Sequence, residues 1–188
     1  MSLPSYAQQS LSTQLGQSLT MLARPSVQTF ERFERRGTAR DAFLYVLVAA
    51  LVSACVAGFF ALFHDGVSPL GQFVSRLITL PLQFLAFTGT VYAVGRYLFG
   101  GTGEYREVAY TFALFFVPLS ILSSVLGSVV YGIPLLGDMA GWLMTLIQLA
   151  YAYVAVQSSM NVRAGVAPVA ALLLAALVTS AFNLALYW

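Results

Sequence analysis

Five apolar stretches, each about long enough to cross a bilayer, follow one another between residues 42 and 188. A helix needs about 20 apolar residues to span a hydrocarbon core of about 30 Å. The composition agrees, since 59% of the residues are hydrophobic and 9% are charged, whereas a soluble domain carries about 25% charged residues. The sequence therefore predicts an all-α membrane protein, a bundle of five transmembrane helices preceded by a cytoplasmic amphipathic segment.

The chain divides into two parts at the first apolar stretch. Residues 1–40 form a polar and amphipathic N-terminal arm, and residues 41–188 form one membrane domain of a size typical for a single bundle. The expected spans of that domain are residues 42–63, 73–98, 108–131, 140–157 and 166–188.

The arginines predict the orientation of the spans. All nine basic residues of the chain are arginines. With five spans and a cytoplasmic N-terminus, eight of them lie on the inner side and only Arg76 lies on the outer side. Cytoplasmic loops carry the excess of basic residues in membrane proteins. We therefore expect an integral, multi-pass protein with its N-terminus in the cytoplasm and its C-terminus outside.

Leucines recur at helical spacing through residues 11–22 of the arm. Two interpretations stay open for this stripe. The segment is either a weak helix or an unstructured arm, or it is an interfacial helix that docks on the membrane or on a partner.

A second amphipathic pattern covers residues 27–36. Phe30 and Phe33 recur at helical spacing, and Arg35 and Arg36 follow them. An aromatic face opposite a basic face is typical of a short helix that lies on the membrane surface. We expect the two rings to insert into lipid and the two arginines to meet anionic headgroups. Because this pattern adjoins a hydrophobic span, it indicates a membrane surface rather than nucleic acid.

Four polar residues within or beside the spans are candidates for a function. Asp138 either caps the fourth span, or lies one turn inside a span that begins at Pro134, where it could pair with Arg76 or line a polar cavity. Gln148 lies ten residues further along, near the midplane, and Gln83 lies in the second span. The two amides either form hydrogen bonds between helices or line a substrate pathway.

The motifs of common enzyme classes are missing from the sequence. There is no HExxH, no GxSxG, no phosphate-binding glycine loop and no cluster of cysteine or histidine. No Asp, Glu or Lys is available near the midplane for a proton relay. We therefore assign no catalytic, cofactor-binding or metal-binding residue and no cofactor, and we do not expect an enzyme.

Several segments resemble those of a known family. They are Arg24-Pro25 followed by Thr29-Phe30-Glu31, then Tyr105-Arg106-Glu107-Val108, Pro118, Ile133-Pro134-Leu135-Leu136-Gly137, Trp142, and Gln157-Ser158-Ser159-Met160-Asn161-Val162-Arg163-Ala164. Through these segments, residues 24–185 resemble the Yip1 family in its prokaryotic branch.

The resemblance implies a fold of five spans and a role without known catalysis. Eukaryotic Yip1-type proteins lie in Golgi and endoplasmic-reticulum membranes, contact prenylated Rab GTPases and take part in vesicle trafficking. Their N-terminal region carries a D-L-Y-G-P-like motif, whereas Asp41 is followed here by Ala42-Phe43-Leu44-Tyr45. We therefore do not expect a Rab-type GTPase as partner.

The resulting hypothesis is a non-enzymatic integral membrane protein of Yip1 type, in the inner membrane of a prokaryote. It would organise membrane or partner proteins as a membrane-shaping or trafficking-like scaffold. Its partners would be lipid, a second copy of the chain or another membrane protein, and not nucleic acid. The alternative is a small homo-oligomeric channel or transporter.

Overall fold

The computed structural model describes residues 10–130 and 133–186, except for the side chains of Pro134 and Leu186. Over these residues the chain is helical and contains no strand. Its helices are α1 (Leu11–Ala23), α2 (Val27–Glu34), α3 (Ala39–Ala61), α4 (Pro69–Tyr97), α5 (Tyr105–Val129), α6 (Pro134–Met160) and α7 (Val166–Leu186). Helices α3 to α7 are each long and apolar enough to cross a membrane. The prediction of five spans is confirmed.

Four of the five spans begin earlier than hydropathy alone predicted, and the fifth begins at Val166 as predicted. The second was expected from residue 73, but α4 begins at Pro69, where the Ser68 hydroxyl accepts a hydrogen bond from the Gly71 N–H. The fourth was expected from residue 140, but α6 begins at Pro134. Proline suits the first helical position because its missing N–H would have no partner there. Residues 131, 187 and 188, at the ends of the third and fifth predicted spans, lie outside the described residues.

Capping boxes fix the starts of α3 and α5. Asp41 accepts from the Thr38 N–H over 2.9 Å, and the Thr38 hydroxyl accepts from the Asp41 N–H over 3.1 Å. Glu107 accepts from the Glu104 N–H over 3.0 Å in the same way. Such reciprocal bonds satisfy backbone donors that have no partner within the helix.

The spans form a bundle around α5, which packs against α3, α4 and α6. Because short loops join successive spans, neighbours in sequence run antiparallel. We call the end at which α3, α5 and α7 begin the arm end. There the loop before α5 is joined to the end of α6, since the Thr102 N–H donates to the Met160 carbonyl over 3.1 Å.

The arm packs against the bundle instead of standing apart from it. Helix α1 crosses α3, α5 and α6 near the arm end, and three tyrosines of these spans reach it. Tyr45 OH lies 3.0 Å from Ser18 Oγ, Tyr110 OH donates to Gln17 Oε1 over 2.8 Å, and Tyr151 OH donates to the Leu22 carbonyl over 2.7 Å.

Helix α1 turns its polar side inward. Gln14, Gln17 and Ser18 are buried against the bundle. Its leucine face, which consists of Leu11, Leu15 and Leu19, is 50–58% exposed, and Leu11 and Leu15 border a recess between α1, α3 and α5. The stripe is therefore helical, which agrees with a weak helix and with an interfacial helix, so docking on a membrane or a partner stays a prediction.

Candidate functional site

The aromatic face of α2 points into the protein, which corrects the expectation that Phe30 and Phe33 insert into lipid. Phe30 is fully buried and Phe33 is 6% exposed. The Phe30 ring packs on Phe115 of α5, with 6.3 Å between the ring centroids. The physical reason is that α2 packs against α5 and α6, so these helices, and not lipid, cover its apolar side.

The two predicted arginines of this helix lie at its outer edge. Arg35 and Arg36 are exposed. The Arg36 guanidinium lies over the Phe33 ring, 5.6 Å from its centroid. Contact of these arginines with anionic headgroups stays a prediction, which the exposure of both side chains permits.

Two buried carboxylates, which the sequence analysis did not single out, join α2 to the bundle. Ser158 of α6 donates to Glu34 Oε2 over 2.8 Å. Arg35 Nε lies 3.6 Å from Glu34 Oε1 and 3.4 Å from Glu107 Oε1. Burial raises the pKa of the Glu34 carboxyl, and the neighbouring Glu107 raises it further, while Ser158 and Arg35 act in the opposite direction.

This raised pKa predicts that acid stabilises the docked arm. Because the pKa lies above its usual 4.5 in the folded protein, the folded state binds a proton more tightly than the unfolded state does. The stabilisation is complete below the usual pKa and is lost as pH rises through the raised one. We expect the melting temperature in detergent to rise as the pH falls through the raised pKa toward 4.5.

Glu34→Gln tests the origin of this pH dependence. The amide keeps an acceptor for Ser158 but does not titrate, so the rise on acidification should shrink. Asp65→Asn is the matched control, because Asp65 is exposed in the loop after α3 and is not among the groups that shift the Glu34 pKa. An undiminished rise in Glu34→Gln would contradict the assignment.

The structure does not bring Asp138 and Arg76 together. Because α6 begins at Pro134, Asp138 lies one turn inside the helix, as the second interpretation of its position required. Its side chain is exposed, however, and no ion pair joins it to Arg76 among the described residues. Arg76 lines a separate recess of about 160 Å³ beside His64 and Gln72 at the other end of the bundle.

Gln83 and Gln148, by contrast, line the same cavity. This space of about 370 Å³ lies between α4, α5, α6 and α7, and we call it the amide cavity. Gln83 Nε2 donates to Asn183 Oδ1 over 2.6 Å and so joins α4 to α7. The Gln148 amide forms no hydrogen bond with any described residue, although its side chain is half-buried.

The lining of the amide cavity combines aromatic rings with uncharged polar groups. Its other polar members are Thr88, Thr145, Thr179, Ser180 and Asn183, and its rings are Phe84, Phe87, Phe112, Phe115 and Phe116. No ionisable side chain is among the lining residues. The cavity can therefore hold and orient an uncharged molecule, but its lining supplies no group for proton transfer at neutral pH.

A metal site is not formed by the described part of the chain. No group of three His, Cys, Asp or Glu side chains comes together there in a way that could hold an ion. The amides and hydroxyls of the amide cavity are neutral oxygen ligands without a carboxylate, and hard cations prefer sites that include one.

These features define the class: an integral, multi-pass membrane protein built only of helices over its described residues. A family model described as the Yip1 domain matches residues 19–184. The chain belongs to the Yip1 domain family. The matched region begins inside α1 and therefore includes α2 as well as the spans. No curated protein and no solved structure matches the chain.

Proposed function

We propose that this Yip1-family protein is a non-enzymatic organiser of the bilayer that acts through its arm end. The leucine face of α1 carries the proposal, because three half-exposed leucines form an apolar surface that no described residue covers. Beside it, α1, α3 and α5 enclose an apolar recess of about 460 Å³, with Leu15, Val48 and Ile121 in its lining. Such a surface suits acyl chains.

The position of α1 explains how the chain would act on a bilayer. The helix lies at one end of the bundle, so it adds protein volume to one leaflet and not to the other. We place this end in the cytoplasmic leaflet because most arginines lie there. Resemblance to the prokaryotic branch supports the inner membrane. A second copy of the chain or another membrane protein could use the same leucine face.

A triple substitution of the leucine face, Leu11→Gln with Leu15→Gln and Leu19→Gln, tests this proposal. Amides at these positions would withdraw the helix from acyl chains. Protein reconstituted into giant vesicles should concentrate on thin membrane tubes pulled from them, and the triple variant should lose most of that enrichment. The enrichment is measured as the ratio of the fluorescence of labelled protein on the tube to that on the parent vesicle.

The control places glutamines on the same helix outside the leucine face, through Thr13→Gln and Thr20→Gln, both at exposed positions. This variant should be enriched on the tubes as much as the unchanged protein is. Equal enrichment of the triple variant and this control would contradict the proposal.

A small homo-oligomeric channel or transporter is the second candidate. The amide cavity favours it, because polar groups within the spans can line a path for a solute. Liposomes that contain the protein would then show flux of ions or small metabolites. If the protein showed flux that Gln148→Leu abolishes, and showed no enrichment on tubes, the second proposal would replace the first.

A further inference from the structure

The polar lining of the amide cavity extends further from the arm end than its aromatic lining does. At about 1.5 Å per residue along each helix, the phenylalanines lie about 10–20 Å from the arm end, whereas the polar side chains lie about 13–26 Å from it. Gln148, at about 18 Å, lies where the two sets overlap, and only the polar set reaches further toward the other leaflet. A molecule with an apolar tail and a polar head fits this order.

The amide of Gln148 is available to such a molecule. Gln83 is already held by Asn183, whereas Gln148 has no partner among the described residues. An amide left without hydrogen bonds inside the bilayer costs free energy, because lipid tails offer neither donor nor acceptor. A ligand that carries a hydroxyl and a carbonyl would satisfy both sides of this group.

The lining also selects against charge. No arginine, lysine or histidine faces the amide cavity, so a phosphate or carboxylate placed there would be buried without a counter-ion. Burying an unpaired ion in the spans is costly. The head of the ligand must therefore be uncharged.

The packing of the spans leaves a way in from the bilayer. Helix α7 packs more extensively on α4 than on α6. Thr145 and Gln148 of α6 face Thr179 and Asn183 of α7 across the amide cavity. The seam between α6 and α7 is therefore the natural path for an acyl chain.

We propose that the amide cavity binds an uncharged glycerolipid of the diacylglycerol class. Its acyl chain lies among the phenylalanines, and its hydroxyl or ester carbonyl forms a hydrogen bond with Gln148. Nothing in this assignment depends on the leucine face of α1.

The experiment uses the full chain in nanodiscs with a diacylglycerol that carries a photoreactive diazirine on its acyl chain. We expect cross-links to the cavity phenylalanines, such as Phe84 and Phe116, and competition by unlabelled dioleoylglycerol. Phosphatidic acid with the same chains should not compete. Gln148→Leu should weaken binding about five- to tenfold, the effect of one lost hydrogen bond.

Two further variants keep the test decisive. Gln157→Leu, on the same helix but outside the cavity, should bind like the unchanged protein. Ala176→Phe fills the cavity and should prevent cross-linking even if Gln148→Leu does not fold. Equal cross-linking in Ala176→Phe and the unchanged protein, or equal competition by phosphatidic acid, would overturn the proposal. The triple variant of the leucine face should keep full cross-linking, so failure here and failure of the proposed function are distinguishable.

Discussion

Phe30→Ala is expected to lower the free energy of unfolding by about 3–5 kcal/mol, the usual cost of removing a fully buried phenylalanine. Phe30 is 0% exposed and packs on Phe115 of the central helix. The neighbouring contact of Glu34 with Ser158 gives α2 no room to shift and close the cavity. The loss should appear in unfolding of the purified protein by denaturant in mixed micelles.

Phe63→Ala is the matched control, because the Phe63 side chain is 70% exposed just after α3. We expect a change below about 1 kcal/mol for this variant, since little apolar area leaves contact with protein. If Phe30→Ala lowered the free energy of unfolding by as little as Phe63→Ala does, Phe30 would not be part of the core, and the docking of α2 on the bundle would be wrong.

Gly103→Ala should destabilise the protein by about 1–3 kcal/mol, as overpacking of a filled site does. A methyl group at Gly103 would overlap the backbone carbonyl of Ser159, which has no rotamer by which to move away. The bond from the Thr102 N–H to the Met160 carbonyl also holds the loop before α5 against the end of α6. We expect a lower melting temperature and faster proteolysis in the loop before α5.

Gly89→Ala separates this steric effect from a general effect of glycine replacement. A methyl group at Gly89 would meet nothing within 4 Å, and alanine favours the helix by about 1 kcal/mol over glycine. This variant should be neutral or more stable. A Gly103→Ala protein as stable as Gly89→Ala would show that the loop before α5 can move away from the end of α6 at no cost.

The spans could be predicted from the sequence because length and hydropathy decide them. The first residues of the spans were harder to predict, because the first turns of α4 and α6 depend on Ser68 and Pro134, which carry no hydropathy signal. The fold class followed from the same features. These features did not predict whether lipid or protein covers each helix face.

The sequence could not tell which surface covers an apolar face, since lipid and protein favour the same side chains. Phe30 and Phe33 form such a face and are buried by protein, whereas Leu15 and Leu19 form another and point outward. In a bilayer the polar side of α1 gains more by turning inward, because the bundle supplies its hydrogen-bond partners.

The candidate polar residues show the same limit. The sequence placed Gln148 near the midplane and Gln83 in the second span, but only the packing of four helices puts both on the amide cavity. Glu34 had a usable signal: it follows Phe30 by four residues, so the rotation that buries the Phe30 ring also buries the carboxyl. Nothing in sequence spacing could show that Arg76 and Asp138 do not form an ion pair.

Labelling of the unmodified protein from within the bilayer tests the central claim, that the arm is part of the bundle with its leucine face outward. A small apolar carbene reagent dissolved in the lipid of proteoliposomes would be activated by light, and modified peptides would be mapped by mass spectrometry. The account predicts label on Leu11, Leu15 and Leu19 and none on Phe30 or Phe33. Label on the two phenylalanines, with the three leucines unmodified, would contradict it.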